Sequence, residues 1–224
     1  MITVFHGTDQ VKSRLNLNQE LTGTVIKLNA ARLSPEDLTQ ALESSLLFET
    51  KQIIFIDNLF SLPQSQNKSK LIDILLSHPD SPVFLWEKKP LTPAVAKKLS
   101  GQKARLVESK LPPVIFKFLD SLKPKNLRLS LNLFHDSLKA SAPEQVFYLL
   151  TRRLANLIAA KDDPASVSGA PWQKANLVTQ AKAFDLATLF AFHRGLLALD
   201  IGTKTGSSLL PLKLRLELML VNLL

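Results

Sequence analysis

One short segment constrains the fold of this chain more than any other. Residues 52–57 read Gln-Ile-Ile-Phe-Ile-Asp and are apolar at both odd and even positions. Successive side chains of a strand point to opposite faces, so a strand with this pattern must be covered on both sides. Coverage of that kind is typical of a central strand in a parallel sheet that has helices on each face. The segment therefore predicts an α/β fold.

Four more strand-like segments lie in the first half of the chain. The predicted strands cover residues 2–5, 24–28, 52–57, 82–87 and 104–107. Segments of helical periodicity separate them, and Ser34-Pro35-Glu36-Asp37 has a capping hydroxyl, a proline at the first helical position and two acids facing the helix dipole. This alternation predicts a five-stranded, mainly parallel sheet with flanking helices.

The second half of the chain has a different character, because helical segments replace the β-branched runs. Predicted helices cover residues 114–121, 125–139, 143–161, 172–181, 185–199 and 209–224. The change occurs at Pro112-Pro113. We therefore predict an α/β domain at residues 1–112 and an all-α domain at residues 113–224.

The final segment, residues 209–224, fits two kinds of structure. Its leucines alternate as in a strand from Leu212 to Leu220, but they also fit one face of a helix. Length and leucine richness favour the helix. Three charged residues between positions 213 and 217 interrupt the apolar run, so we do not expect a membrane anchor.

The cysteine count excludes several kinds of site. The chain has no cysteine, which excludes a disulfide scaffold, a cysteine-based zinc site, an iron–sulfur cluster and a thiol nucleophile. The amino terminus has no basic region ahead of a long apolar stretch, so we expect no secretory signal. Both observations favour a cytoplasmic protein.

Positive charge is in excess but is spread along the chain. There are 28 lysines and arginines against 19 acids, a formal net charge of +9. Charge of this kind favours weak, salt-sensitive contact with a polyanion and equally suits a solvated surface. Four lysines around one short predicted helix are the candidates for DNA contact: Lys88, Lys89, Lys97 and Lys98.

The loop after the first strand does not have the composition of a phosphate-binding loop. Residues 6–13 contain one glycine, an acid at Asp9, and no Gly-Lys-Ser/Thr sequence. Asp57 is followed by Asn58 rather than by the second acid with which nucleotide hydrolases hold magnesium. The four histidines never occur at metal-ligand spacing. We predict no catalytic residue, no metal site and no bound cofactor.

Two neighbouring apolar residues precede the central strand. If Leu38, Ala41 and Leu42 face the sheet, then Leu47 and Phe48 cannot both be buried on the same helix face. An exposed Leu-Phe pair is typical of an anchor for a pocket on a partner protein. The alternative is that the pair covers the edge of the sheet.

Residues 47–59 resemble the helix-to-strand passage in the delta subunits of bacterial DNA polymerase III clamp loaders, where Leu-Phe precedes a basic residue and an apolar strand. The second half resembles the carboxyl-terminal domain of the same family. The matching positions are Trp172 in Pro-Trp-Gln-Lys, Phe184, Asp200, and Lys204, Thr205 and Gly206.

This resemblance implies a non-catalytic member of the AAA+ family with a degenerate nucleotide site. It implies that Leu47 and Phe48, with Leu46 beside them, enter the pocket of the sliding clamp, the ring-shaped beta subunit. Residues 113–224 would form a helical collar that contacts the other loader subunits. Primed DNA would be a further partner, bound weakly by this chain alone, and no membrane would be involved.

One departure from the family concerns its small helical lid domain. Here Val107 leads through Pro112-Pro113 almost directly to a segment resembling the first collar helix, so we expect the lid to be deleted or reduced to a linker.

Two other functions remain open from the residues alone. One is a small nucleotide hydrolase or phosphotransferase on the same sheet. The other is a stand-alone DNA-binding protein that uses the positive charge, which predicts tight DNA binding and a steep salt dependence.

Overall fold

The computed structural model describes residues 1–47 and 52–224, and the side chains of 45–47 are outside that description. The chain divides into two compact units, Met1–Leu111 (unit 1) and Pro112–Leu224 (unit 2). In the described part of the chain, no helix is long and apolar enough to span a membrane.

Unit 1 contains a five-stranded sheet in which every neighbouring pair of strands is parallel. The strands are β1 (Ile2–Gly7), β2 (Val25–Asn29), β3 (Ile53–Asp57), β4 (Val83–Trp86) and β5 (Arg105–Ser109). Their order across the sheet is β2-β3-β4-β1-β5. The predicted fold class, a five-stranded parallel sheet with flanking helices followed by a helical region, is confirmed.

The described part of unit 1 has four α-helices between its strands and a short 3-10 helix, Ala30–Arg32, after β2. The α-helices are α1 (Gln10–Glu20), α2 (Pro35–Leu47), α3 (Gln66–Ser77) and α4 (Pro93–Gly101). The predicted start of α2 is confirmed, because the Ser34 hydroxyl accepts the Asp37 backbone N–H at 3.1 Å and donates to the Asp37 carboxylate at 2.7 Å. This reciprocal contact satisfies one of the backbone donors that a helix start leaves unpaired.

The sheet has a hydrophobic core on each face, and β3 contributes to both. Phe55 packs with Phe5 and with Leu17 of α1 on one face. Ile54 and Ile56 pack on the other face, in a larger core that takes residues from α2, α3 and α4. The prediction of two-sided burial for this strand is therefore confirmed.

Unit 2 is helical throughout. Its helices are α5 (Pro113–Ser121), α6 (Leu127–Ala140), α7 (Pro143–Asp162), α8 (Pro171–Lys182), α9 (Leu186–Lys204) and α10 (Leu212–Leu223). The ambiguous final segment is thus a helix, with Leu216 and Leu220 buried and Met219 against Gly195 of α9. β5 ends at Ser109 and α5 begins at Pro113, so no helical domain stands between them.

A buried amide holds three helices of unit 2 together. The Gln180 amide of α8 donates to the carbonyls of Leu119 at 2.7 Å and Leu122 at 2.9 Å, at the end of α5. Its oxygen accepts from Arg153 of α7 at 3.1 Å, and Arg153 also pairs with Asp120 at 2.8 Å. Gln180 therefore satisfies the carbonyl groups that the end of α5 leaves unpaired.

Candidate functional site at the carboxyl ends of the strands

The loop between β1 and α1 lies against the end of β5. Gly7 has φ +138°, and a Cβ at this position would overlap the carbonyl group of Ser109. The Asp9 backbone N–H donates to that same carbonyl at 3.0 Å, and the Leu111 N–H donates to the Thr8 hydroxyl at 3.0 Å. Residues 109–111 therefore close over the loop from one side.

The amino-terminal end of α1 is capped by a carboxylate. Asp9 is buried, and its Oδ1 accepts the backbone N–H of Lys12 at 2.9 Å. Phosphate-binding loops use these backbone N–H groups, with the positive end of the helix dipole, to hold the anion. A phosphate at this helix end would meet the negative charge of Asp9. The loop therefore caps the start of α1 with its own carboxylate, that of Asp9.

Asp57 and Asn58 join the ends of β3 and β4. Asn58 has φ +58°, and its amide donates to Asp57 Oδ1 at 2.6 Å while its oxygen accepts the Lys88 backbone N–H at 3.0 Å. Asp57 Oδ2 lies 4.0 Å from a guanidinium nitrogen of Arg14. Asp57 therefore anchors the loop, which is the ordinary structural role for a lone acid at a strand end.

Arg14 was not anticipated from the sequence. Its guanidinium lies over the rings of Phe55, at 5.0 Å from the ring centroid, and Trp86, at 4.9 Å. The three residues belong to α1, β3 and β4, so only the fold brings them together. The sequence signal that could have indicated this contact is the arginine in α1, the helix that covers the sheet face on which Phe55 and Trp86 lie.

An open cleft of about 540 Å³ lies beside Arg14. It is lined by residues of α1 and by the ends of β3 and β4: Gln10, Val11, Arg14, Leu15, Asn18, Asp57 and Trp86. Ligands of open α/β sheets bind at the carboxyl ends of the strands. The cleft is therefore a candidate binding site in unit 1.

A buried acid at the end of β4 holds the loop that follows β3. Glu87 accepts the backbone N–H groups of Phe60 at 2.7 Å and Ser61 at 3.1 Å, and the Ser61 hydroxyl at 2.7 Å. The Lys68 ammonium donates to the carbonyls of Phe60 at 2.8 Å and Leu62 at 2.6 Å. Burial raises the pKa of the Glu87 carboxyl, and these hydrogen bonds and the charge of Lys68 offset part of that rise.

The residues predicted to bind the clamp lie outside the described residues. That applies to the side chains of Leu46 and Leu47 and to the whole of Phe48. Upstream of them, Leu38, Ala41 and Leu42 are buried against the sheet, as predicted.

The four candidate lysines occupy two places in unit 1. Lys88 and Lys89 are exposed in the connection after β4. Lys97 is exposed on α4, and Lys98 on the same helix pairs with Asp73 at 3.4 Å.

Four of the six predicted collar residues lie at the end of α9, and the other two lie elsewhere in unit 2. The Lys204 ammonium pairs with Asp200 at 2.7 Å, and the Thr205 hydroxyl donates to the carbonyl of Ile201 at 2.9 Å. Gly206 follows with φ +64°, the left-handed conformation that ends many helices. Trp172 is exposed at the start of α8, whereas Phe184 is buried edge-on to the ring of Phe192. The Asp-Lys-Thr-Gly signature therefore terminates α9.

α9 also carries an apolar surface that the sequence analysis missed. Leu186, Phe190, Leu197 and Ile201 are 39–54% exposed. At 100° per residue they lie within about 60° of one another, away from the buried face of the helix. We call these four residues the α9 stripe. Nothing within the described part of unit 2 buries it.

Comparison with known proteins found similarity only among solved structures. No protein-family model and no curated protein matches the chain. The DNA clamp loader delta protein of Bacillus subtilis is 15% identical, with a TM-score of 0.44, over 99% of this chain and 94% of that one. A DNA polymerase III gamma subunit-related protein of Thermotoga maritima is 14% identical, with a TM-score of 0.33, over 99% and 92% of the two chains.

The raised pKa of Glu87 predicts a pH-dependent stability. A carboxyl with a higher pKa in the folded chain stabilises the fold as pH falls through that pKa, and the stabilisation is lost as pH rises above it. As pH rises above the ordinary pKa of a glutamate, we expect the melting temperature of the parent to fall relative to that of Glu87→Gln, which cannot titrate. Thermal unfolding followed by circular dichroism measures the difference.

The control for this series is Glu43→Gln, which removes a carboxylate from the exposed surface of α2. It corrects for the general effect of changing net charge. Parallel curves for the parent and Glu87→Gln would show that burial does not perturb the titration of Glu87.

Proposed function

We propose that this chain is a non-catalytic clamp-loader subunit of the delta type, which binds and opens the sliding clamp so that it can be loaded onto primed DNA. The observation that carries the proposal is the closed β1–α1 loop. Its glycine packs against Ser109 and its helix end is occupied by Asp9. A parallel-sheet unit closed in this way is suited to a role other than nucleotide hydrolysis.

The order of motifs along the chain supports the delta type in particular. Leu47 and Phe48 precede the central strand, and the Trp172, Phe184 and Asp200 motifs follow in the helical half. The Asp200–Lys204 pair and the left-handed Gly206 give the last of these motifs a physical basis, because together they end α9 at a defined residue.

Clamp binding is assigned to Leu47 and Phe48, with Leu46 as a neighbour. The buried residues Leu38 and Leu42 fix the earlier turns of α2 to the sheet. Leucine and phenylalanine can bury a large apolar area in a preformed pocket without leaving a polar group unpaired. Higher affinity for the open than for the closed ring would supply the free energy of opening.

Assembly with sister subunits is assigned to residues 113–224, and the α9 stripe supports this assignment. Four large apolar side chains exposed along one face of a helix form a surface that a partner helix can cover. Leu214, Leu218 and Val221 of α10 form a second exposed apolar row. A subunit within a ring contacts two neighbours, so two such surfaces are consistent with that position.

The clamp-binding assignment predicts the effect of a double substitution. Leu47→Ala with Phe48→Ala is expected to weaken clamp binding by about 3 kcal/mol or more, because both anchors of a small interface are removed. Surface plasmon resonance with the clamp of the same host measures the dissociation constant. Phe116→Ala with Leu129→Ala, two exposed apolar residues of unit 2, is the matched control. An unchanged dissociation constant in the first variant would eliminate this mechanism.

The closed loop predicts the outcome of nucleotide titration. At millimolar ATP with magnesium, we expect neither binding by calorimetry nor release of phosphate, because Asp9 occupies the helix end that would hold the phosphates. Turnover by the purified chain would instead favour the hydrolase alternative.

The assembly assignment predicts a loss of subunit binding when the α9 stripe is made polar. Phe190→Ser with Leu197→Ser removes two exposed apolar side chains and is expected to cost about 3 kcal/mol of association, on the order of 100-fold. Co-elution with the other loader subunits measures this loss. Leu129→Ser, at an exposed site on α6, serves as the control, and an equal effect of both variants would contradict a specific role for the stripe.

A further inference from the structure

The side chain of Arg14 is both held in place and accessible. Its guanidinium lies over Phe55 and Trp86, yet 41% of the side chain remains exposed and it lines the cleft. Two aromatic rings restrict the guanidinium to an orientation roughly fixed by their surfaces. One guanidinium nitrogen, Nη1, is buried without a hydrogen-bond partner among the described residues, and the exposed part of the side chain forms part of the wall of the cleft.

The rest of the cleft complements a flat ligand that carries both hydrogen-bond donors and acceptors. Asp57 is 39% exposed, and its Oδ2 lies 4.0 Å from Arg14, too far for a hydrogen bond. That carboxylate can accept N–H groups, and Arg14 can donate. Val11 and Leu15, both more than half exposed, supply apolar walls. The volume of about 540 Å³ lies within the range of small-molecule sites.

A peptide would fit this cleft poorly, whichever kind of side chain entered it. An acidic side chain would approach Asp57, and a basic one would approach Arg14. A purely apolar side chain would bury both charges without partners, which is costly. A nucleobase is neutral and planar, and its edges carry donors beside acceptors. Bases also stack on guanidinium planes.

The charge around the cleft favours a polyanion as the source of that base. Residues 8–18, 57–62 and 86–92, all described, contain four basic residues: Lys12, Arg14, Lys88 and Lys89. Of their three acids, Asp9 and Glu87 are buried, which leaves only Asp57 partly exposed. Lys88 and Lys89 are exposed in the connection after β4, one residue beyond Trp86, and lie outside the lining of the cleft.

We propose that this cleft binds a base of single-stranded DNA. The base stacks on the guanidinium of Arg14 and donates to the carboxylate of Asp57, while the neighbouring phosphates are attracted to Lys88 and Lys89. The site takes a base and not a nucleoside triphosphate, because the end of α1 is closed by Asp9. The inference goes beyond clamp binding and does not depend on it.

The test separates stacking from charge by using Arg14→Lys in the full chain. Lysine keeps the positive charge and loses the planar surface. Fluorescence anisotropy is measured with a labelled strand of about 12 nucleotides and with an abasic strand of the same length. Arg14→Lys is expected to weaken binding of the base-bearing strand about 5- to 10-fold and to leave binding of the abasic strand unchanged.

Three further variants complete the design. Lys88→Gln with Lys89→Gln is expected to weaken both strands equally, because phosphate contacts do not depend on the bases. Leu15→Glu places a negative charge at the exposed rim without changing the core, so it tests the site even if Arg14→Lys unfolds. It should weaken both strands. Arg194→Lys, at an exposed position of α9, is the matched control and should change neither.

The proposal would be overturned by a result of either of two kinds, one from the variants and one from competition with a nucleoside. Equal loss on both strands, or no loss on either, would show that Arg14 provides no stacking surface. Displacement of the strand by micromolar deoxyadenosine would make a free nucleoside the ligand, whereas displacement only in the millimolar range is expected for one base without its phosphates. Neither outcome bears on Leu47 and Phe48, so failure here is distinguishable from failure of the clamp-binding assignment.

Discussion

The burial of β3 on both faces is the constraint on which the rest of unit 1 depends. Ile54 and Ile56 belong to one core and Phe55 to the other, so a shift of the strand by one residue would move each of these side chains into the opposite core. The position of β3 determines where both of its ends lie. It places Asp57 and Asn58 beside β4 and α1, and it sets where the chain must return after α2. A strong local constraint thereby positions residues that do not themselves contribute to the core.

The parts of the fold that could be predicted from the sequence are those that depend on residues close together in the chain. Residues 52–57 indicated a central strand, and Ser34 with Asp37 indicated the start of α2 through a contact that spans only three positions. The segment near the end of the chain was ambiguous because leucine spacing fitted both periods. Length and leucine richness favoured the helix that is observed, in which Met219 of α10 packs against Gly195 of α9.

The candidate site was less predictable because its contacts join residues that are distant in sequence. Nothing local marks Arg14 as the partner of Phe55 and Trp86, and nothing local marks Glu87 as the acceptor for Phe60 and Ser61. Both depend on which strands become neighbours. Conversely, the Asp200 and Lys204 signature, which the family resemblance connected with assembly, has a purely local explanation as an ion pair one helical turn apart. The clamp-binding prediction for Leu46, Leu47 and Phe48 stays a prediction.

The packing of Gly7 against Ser109 has a consequence for how this fold can change over time. Gly7 ends β1 as the sheet partner of Ser109, and the Ser109 carbonyl accepts the Asp9 backbone N–H, so the backbone of β5 fixes the path of the loop, which no substitution of a side chain removes. Replacing Asp9 alone would leave the Ser109 carbonyl in place, and moving β5 alone would leave Asp9 at the helix end. A different path for this loop would therefore require changes at two distant positions, Asp9 and the end of β5.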